Sequence, residues 1–144
     1  MRRKGIALHD ILSRVTEADD LPGAVALSVA NGTLSPVEGE EAASFLRERI
    51  RGPQVRAWFG LDPDVPVLSV SRERSLIDTD GSVCRPDRVV ETAQGWVVID
   101  YKFGEPRRHY GRQVARYVDL YRRMGCTPVR GFLWYVETDT VVSV

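Results

Sequence analysis

Two carboxylates and one ammonium group near the middle of the chain could form a catalytic centre: Asp87, Asp100 and Lys102. Asp100 and Lys102 lie at the end of an apolar, β-branched run that predicts a strand. Because alternate residues of a strand point to the same face, their side chains should be neighbours. A carboxylate in such an apolar setting must be paired, hydrogen-bonded or bound to a cation, since an isolated buried charge is very costly.

The first carboxylate joins this patch only in one strand register. The polar, glycine-containing segment 91–95 lies between two strand-like runs and predicts a hairpin loop. If Val90 pairs with Val97, Asp87 lies opposite Asp100, whereas a shift by one residue would separate them. Adjacent carboxylates repel each other, so a divalent cation is their natural partner. The alternative is a structural aspartate–lysine ion pair, with the first aspartate in a turn.

The spacing of these residues resembles the active-site signature of the PD-(D/E)XK nuclease superfamily. Pro86-Asp87 is followed, 13 positions after the first aspartate, by Asp100-Tyr101-Lys102. The resemblance implies that Asp87, Asp100 and the backbone carbonyl of Tyr101 hold Mg²⁺, with Mn²⁺ as an alternative. It also implies that Lys102 positions and activates the attacking water.

A predicted helix over residues 109–124 carries Gln113 and Tyr117 one turn apart. Gln-x-x-x-Tyr downstream of Asp-x-Lys resembles the RecB-like branch of the superfamily, which includes the nuclease domains of AddA and RecB helicase-nucleases. The resemblance implies that Gln113 and Tyr117 position the DNA strand. The alternative is an amphipathic helix whose tyrosines pack in the core.

Two more residues enter the candidate site through the same resemblance. His9 lies on the flank of an apolar helical face and resembles the first-helix histidine that lies beside or ligates the metal; the alternative is a packing role. Glu73, between Arg72 and Arg74, resembles an acid that orients a metal-bound water or the lysine. Strand alternation predicts that Ser71, Glu73 and Ser75 share a face, so Glu73 is either exposed or directed at the cleft.

The formal net charge is zero, but the charge is unevenly distributed. Residues 101–130 carry eight lysine or arginine residues and two acidic ones. Arg108, Arg112 and Arg116 recur every fourth residue and should form one stripe on the predicted helix. Such a stripe favours sequence-independent contact with a phosphate backbone, and the alternative is a solvated basic face.

The composition is that of a soluble protein: 144 residues, 43% hydrophobic and 28% charged, suit one domain. We expect a helical cap over about 1–62 and a sheet core over about 63–144. Neither a membrane-span-length apolar run nor a secretory signal is evident, which favours the cytoplasm. Cys84 and Cys126 are too few for a disulfide framework, a zinc site or the four-cysteine iron–sulfur cluster of some RecB-like nucleases.

The predicted fold is α/β and restriction-endonuclease-like, with a mixed central sheet flanked by helices and led by three antiparallel strands. Ser35, Pro36 and Glu38 mark the start of a helix that should extend to about Ile50. The remaining predicted elements are a helix around Leu8–Val15, short helices at 22–30 and 54–59, and strands at 67–77, 83–90, 96–103, 129–136 and 140–144.

The resemblance implies a Mg²⁺-dependent DNA nuclease, the nuclease domain of an AddA/RecB-like helicase-nuclease acting in double-strand-break repair and recombination. The chain lacks an ATP-binding Gly-x-x-x-x-Gly-Lys-Ser/Thr loop, so we expect either the C-terminal nuclease domain of a larger helicase-nuclease or a stand-alone relative. In the first case the expected partners are a helicase portion and a second subunit, with single-stranded DNA ends as substrate. The alternatives are a non-catalytic nucleic-acid-binding module of the same fold and a structure-selective DNA resolvase. Exonuclease and endonuclease action, DNA and RNA, and one or two metals remain open alternatives.

Overall fold

The computed structural model describes residues 2–144, which divide into a first unit ending at Pro66 and a second unit, Val67–Val144. The predicted change from helices to strands near residue 62 lies close to this division. Organisation as a single domain stays a prediction. Within the described residues, none of the helices has the length and apolar character needed to cross a membrane.

The first unit is helical. Ser35 caps its third helix: the Ser35 hydroxyl accepts from the Glu38 N–H at 3.1 Å, and the Glu38 carboxylate accepts from the Ser35 N–H at 2.9 Å. The predicted helix start is therefore confirmed. The helices are α1 Arg2–Ser13, α2 Leu21–Ala30 and α3 Pro36–Ile50, with 3₁₀ turns at Ala18–Asp20 and Arg56–Phe59.

The second unit contains a five-stranded sheet in the order β1-β4-β5-β6-β7 and a separate two-stranded sheet formed by β2 and β3. The β5–β6 pair is parallel and the others are antiparallel, so the sheet is mixed as predicted. The elements are β1 Val67–Arg72, β2 Leu76–Ile77, β3 Val83–Cys84, β4 Arg88–Thr92, β5 Gly95–Lys102, α4 Arg108–Arg123, β6 Val129–Tyr135 and β7 Thr140–Ser143.

The β4–β5 hairpin has the predicted register, with Val90 opposite Val97. Its connection is shorter than predicted, because Thr92 and Gly95 already belong to the strands. Gly95 has φ +127°, and a Cβ there would lie 2.6 Å from the Pro128 carbonyl oxygen. Glycine is therefore needed at this end of the loop.

The predicted strand 67–77 is broken, which makes the prediction of a continuous strand through Glu73 wrong. Glu73 follows the end of β1 and has a left-handed backbone, with φ +48°. The chain turns out of the five-stranded sheet there, and β2 pairs with β3 instead. The expected alternation of Ser71, Glu73 and Ser75 along one strand therefore does not exist.

The predicted strand 83–90 is also divided, into β3 and β4. Pro86 lies in the break, and proline cannot donate a hydrogen bond to a neighbouring strand. The break leaves Asp87 immediately before β4, where the backbone is still fixed because the Asp87 carbonyl accepts from the Glu73 N–H at 3.1 Å.

Helix α4 covers one face of the sheet through a buried apolar cluster. Its buried residues include Val114, Val118 and Tyr121, which pack with Val89 and Val98 of the β4–β5 hairpin. The helix lies close to β6 because Gly131 has no side chain. A Cβ on Gly131 would lie 2.7 Å from Val114 Cγ1 and 2.6 Å from Val118 Cγ2.

We predict that Gly131→Ala lowers the free energy of unfolding by about 1–3 kcal/mol, because the added methyl group forces α4 away from β6. Gly111 provides the control, because it lies on α4 and a Cβ added there meets no atom within 4 Å. Gly111→Ala should raise stability by up to about 1 kcal/mol through helix propensity. Urea denaturation of both variants measures the difference, and equal effects would contradict the close packing.

Candidate metal centre and active site

Asp87 and Asp100 are held together by crossed hydrogen bonds. The Asp87 N–H donates to Asp100 Oδ1 at 3.0 Å, and the Tyr101 N–H donates to Asp87 Oδ2 at 2.8 Å. Each carboxylate is thus held by a backbone group of the opposite strand end. The hairpin register fixes both carboxylates in one place before any ligand binds.

Asp100 is almost completely buried, with 3% of its surface exposed. Burial, followed by the neighbouring Asp87 carboxylate, raises the pKa of Asp100 to about 6, although the Asp87 N–H and the Lys102 ammonium lower it. The negative charge on Asp100 is therefore incompletely compensated by the protein. A cation would compensate it.

The Lys102 ammonium has three contacts that fix its position. Its Nζ lies 3.5 Å from Asp100 Oδ2, donates to Gln113 Oε1 at 3.2 Å, and lies 4.2 Å from the centre of the Tyr110 ring. Gln113 and Tyr110 lie one turn apart on α4. The helix therefore holds the lysine beside the carboxylates.

Glu73 reaches the same region from the break after β1. A carboxylate oxygen of Glu73 lies within 4.8 Å of a carboxylate oxygen of Asp87. Arg85 fixes the glutamate, since its Nη2 contacts Glu73 Oε2 at 2.8 Å and its Nε donates to the Glu73 carbonyl at 3.0 Å. The left-handed backbone thus brings an acid to the site that a continuous strand would have placed differently.

Gln113 and Tyr117 have different positions. Gln113 is exposed and bonded to Lys102, whereas Tyr117 is 6% exposed and packs in the core cluster. Burial raises the pKa of Tyr117 to about 12, and its hydroxyl has a hydrogen bond with the backbone of Arg85. Tyr117 therefore supports the segment before Asp87, and its role in positioning the DNA strand stays a prediction.

The arginines of the stripe on α4 differ in their contacts. Arg116 contacts Asp80 at 2.9 Å and the Ser82 hydroxyl, so its guanidinium already has partners. Arg108 and Arg112 are exposed and form no ion pair within residues 2–144. Phosphate contact by the stripe stays a prediction, and these two arginines are its members without an ion-pair partner in the described part of the chain.

The other two predicted ligand residues, Tyr101 and His9, belong to different units. Tyr101 is 2% exposed, and its backbone N–H holds Asp87. Burial raises the pKa of its hydroxyl to about 12. His9 lies half-buried on α1 in the first unit. The metal-ligand roles of His9 and of the Tyr101 carbonyl stay predictions.

The donor set fits a hard divalent cation. Glu73 and Asp87 have carboxylate oxygens within 4.8 Å of each other, and the buried Asp100 carboxylate is joined to Asp87 by the crossed hydrogen bonds. Carboxylate oxygens are the ligands that Mg²⁺ prefers. Neither of the two cysteines belongs to this group.

The chain matches the PD-(D/E)XK nuclease superfamily over residues 2–143. It belongs to this superfamily. The mixed five-stranded sheet with its flanking helices agrees with the restriction-endonuclease-like fold of that assignment. Membership implies nuclease activity, DNA as substrate and the use of divalent metal ions. Comparison with curated proteins found no match.

Two residues of this PD-(D/E)XK site were missed in the sequence. Tyr110 holds the Lys102 ammonium, and its position three residues before Gln113 was the available signal. Arg85, which holds Glu73, left no signal, because its contact spans 12 residues across two strand breaks.

We predict that Asp100→Asn stabilises the metal-free protein at pH 7.5. The folded-state pKa is raised to about 6, so the folded protein retains this proton to a higher pH than the unfolded chain does. Ionisation of Asp100 therefore lowers the free energy of unfolding as pH rises from about 4 to about 6. The neutral asparagine removes this loss, on the order of 1 kcal/mol.

Urea denaturation in a chelator at pH 7.5 and pH 4 measures this effect, which should shrink toward zero at pH 4. The exposed carboxylate Asp64 provides the control, and Asp64→Asn should change stability by less than about 0.5 kcal/mol. A clear loss of stability for Asp100→Asn at pH 7.5 would show that Lys102 more than compensates the buried charge.

Proposed function

We propose that this PD-(D/E)XK protein is a Mg²⁺-dependent DNA nuclease of the RecB-like branch. The observation that carries the proposal is the crossed hydrogen bonding of Asp87 and Asp100, with the Lys102 ammonium 3.5 Å from Asp100. Two carboxylates held this close have little use in stabilising the fold, and Asp100 has a pKa raised to about 6. They suit a cation that also binds the scissile phosphate.

The residues have separate tasks in phosphodiester hydrolysis. Asp87, Asp100 and Glu73 would hold Mg²⁺, which when bound supplies Lewis-acid polarisation of the phosphate and lowers the pKa of a nearby water. Lys102 holds the attacking water and stabilises negative charge that develops on the phosphate. The water oxygen forms a new bond to phosphorus and loses a proton to solvent, the bond to the leaving oxygen breaks, and that oxygen takes up a proton from solvent.

Gln113 and Tyr110 act on this reaction through Lys102. The Gln113 carbonyl oxygen and the Tyr110 ring together fix the ammonium, so its direction toward the carboxylates is set before substrate binds. Neither residue needs to touch the reacting atoms. Both are therefore positioning residues in this proposal.

The substrate and partners follow from the RecB-like resemblance. The Gln113 and Tyr117 spacing supports assignment to the branch that includes AddA and RecB, so we propose single-stranded DNA ends as substrate in double-strand-break repair. A helicase portion and a second subunit would deliver those ends. An isolated chain that cuts single strands but leaves blunt duplex intact would support this assignment.

We predict that Lys102→Ala lowers the rate of Mg²⁺-dependent DNA cleavage by about 10²–10⁴-fold while metal binding persists. Asp87→Asn and Asp100→Asn should lose both cleavage and the stabilisation by Mg²⁺. The assay uses single-stranded and duplex oligonucleotides with Mg²⁺, Mn²⁺ or chelator, and thermal unfolding with and without metal.

The sequence contains a single further lysine, Lys4, which provides the matched control. Lys4 is exposed, with its ammonium 6.0 Å from the centre of the Phe45 ring, and Lys4→Ala should cut DNA at the wild-type rate. A wild-type chain that binds DNA and metal but does not cut would favour a non-catalytic binding module instead. Equal cleavage by wild type and Lys102→Ala would contradict the role of the lysine.

We also predict that Arg108→Ala and Arg112→Ala each reduce the salt dependence of DNA binding. Loss of one phosphate contact lowers the slope of log affinity against log salt by about 0.7 for a single strand. Arg130 is the control, because it lies near the start of β6, whereas Lys102 is paired with the last residue of that strand. Arg130→Ala should leave the slope unchanged, and an equal effect of all three would indicate a diffuse basic surface.

A further inference from the structure

The two-stranded sheet exposes an apolar pair. Ile77 and Val83 lie directly opposite each other, and 76% and 63% of their surfaces are exposed. Their strand neighbours face inward: Cys84 is 1% exposed, and Leu76 packs against the core cluster. Residues opposite each other in an antiparallel pair share a face, so two β-branched side chains are held side by side in solvent.

This hairpin, residues 76–84, is attached firmly to α4. Asp78 accepts two hydrogen bonds from Arg123, at 3.0 and 2.9 Å, which lower the pKa of the carboxyl to about 2. Arg116 contacts Asp80 and the Ser82 hydroxyl on the same turn. The exposed apolar pair therefore has a fixed position relative to the helix that holds Lys102.

A cavity of about 270 Å³ lies between the hairpin and α4, on the same unit. Its volume is close to the lower end of small-molecule sites, about 300 Å³. Val83 forms an apolar wall, and His109 and Arg112 provide cationic or hydrogen-bonding groups on the helix side. The complete lining is Val83, Cys84, His109, Arg112, Gln113, Arg116 and Tyr117.

Gln113 links this cavity to the proposed active site, since it lines the cavity and accepts a hydrogen bond from Lys102. Arg112 forms no ion pair within residues 2–144, so its charge is available to a ligand. A ligand that combines an apolar planar part with an anionic part fits this arrangement. An unpaired nucleotide has both parts, whereas in a duplex the face of each base is covered by stacking.

We propose that the cavity is a subsite for one unpaired nucleotide of the substrate strand, next to the phosphate that is cut. Val83 contacts the base in the cavity, and Ile77, its cross-strand neighbour outside the cavity lining, extends this apolar contact. Arg112 and His109 contact a phosphate. The inference rests on the proposed nuclease function and adds to it a defined base contact. Aliphatic side chains have no hydrogen-bonding groups, so the subsite accepts all four bases but requires that a base be present.

Single-stranded oligonucleotides with one abasic site, moved stepwise along the strand, test this subsite. With wild-type protein, one position should weaken binding by about 3- to 10-fold, as expected for loss of one apolar contact. In Ile77→Ser/Val83→Ser this abasic penalty should disappear, because the protein side of the contact is already lost. Binding is measured by fluorescence anisotropy in chelator, so that cleavage does not interfere.

Val142→Ser is the matched control, on an exposed residue of β7 at the opposite sheet edge from β1, and should retain the full penalty. Ile77→Thr/Val83→Thr keeps β-branching and serves as a second variant should the serine variant unfold. Arg112→Ala should weaken binding to intact and abasic strands equally. An abasic penalty that is absent in wild type, or unchanged in both hairpin variants, overturns the subsite.

Cleavage assays separate this inference from the nuclease function. DNA cutting by a wild-type protein without a position-dependent abasic penalty overturns the subsite and leaves the nuclease intact. Absence of both DNA binding and cleavage overturns the two together.

Discussion

The crossed hydrogen bonds of Asp87 and Asp100 are the constraint on which the rest of the second unit depends. Two like charges would separate unless the backbone held them, and here the backbone holds them because β4 and β5 pair with Val90 opposite Val97. The register is itself fixed by burial, since a shift of one residue would turn the apolar face of both strands to the wrong side. The two carboxylates are thus held close together by the packing of the apolar residues of the same strands.

Helix α4 contacts both the candidate active site and the 76–84 hairpin that carries the exposed apolar pair. Its buried face packs on the sheet through Val114 and Val118, close to Gly131. Its N-terminal half holds Lys102 through Tyr110 and Gln113, and its C-terminal half holds the 76–84 hairpin through Arg116 and Arg123. One rigid element thereby sets the distance between the carboxylates and the exposed apolar pair. The basic stripe contains one arginine, Arg116, that is paired with the 76–84 hairpin, and two exposed arginines, Arg108 and Arg112, that form no ion pair in the described residues.

Local sequence patterns predicted the elements whose formation depends mainly on residues that are near each other in the chain. Capping residues located the start of α3, alternation and β-branching located β4 and β5, and helical spacing placed Gln113 beside the site. The strand breaks at Glu73 and Pro86 were missed. The proline was a local signal for the second break, whereas the first break depends on distant partners. The left-handed backbone of Glu73 is supported by Arg85 and by the Asp87 carbonyl, contacts between residues at least 12 positions apart. The residue pattern of one segment does not indicate which distant residues will contact it.

The sequence by itself determined the chemical groups and the register that brings Asp87, Asp100 and Lys102 together, because strand periodicity and hairpin pairing follow from neighbouring residues. Only the tertiary structure decided what surrounds them: that Asp100 is buried enough for its pKa to rise to about 6, and that Tyr117 is only 6% exposed and packs in the core cluster. Burial and electrostatic environment depend on which distant segments cover a residue. Which segments cover a residue depends on the packing of the whole sheet and helix, and local sequence patterns do not predict that packing.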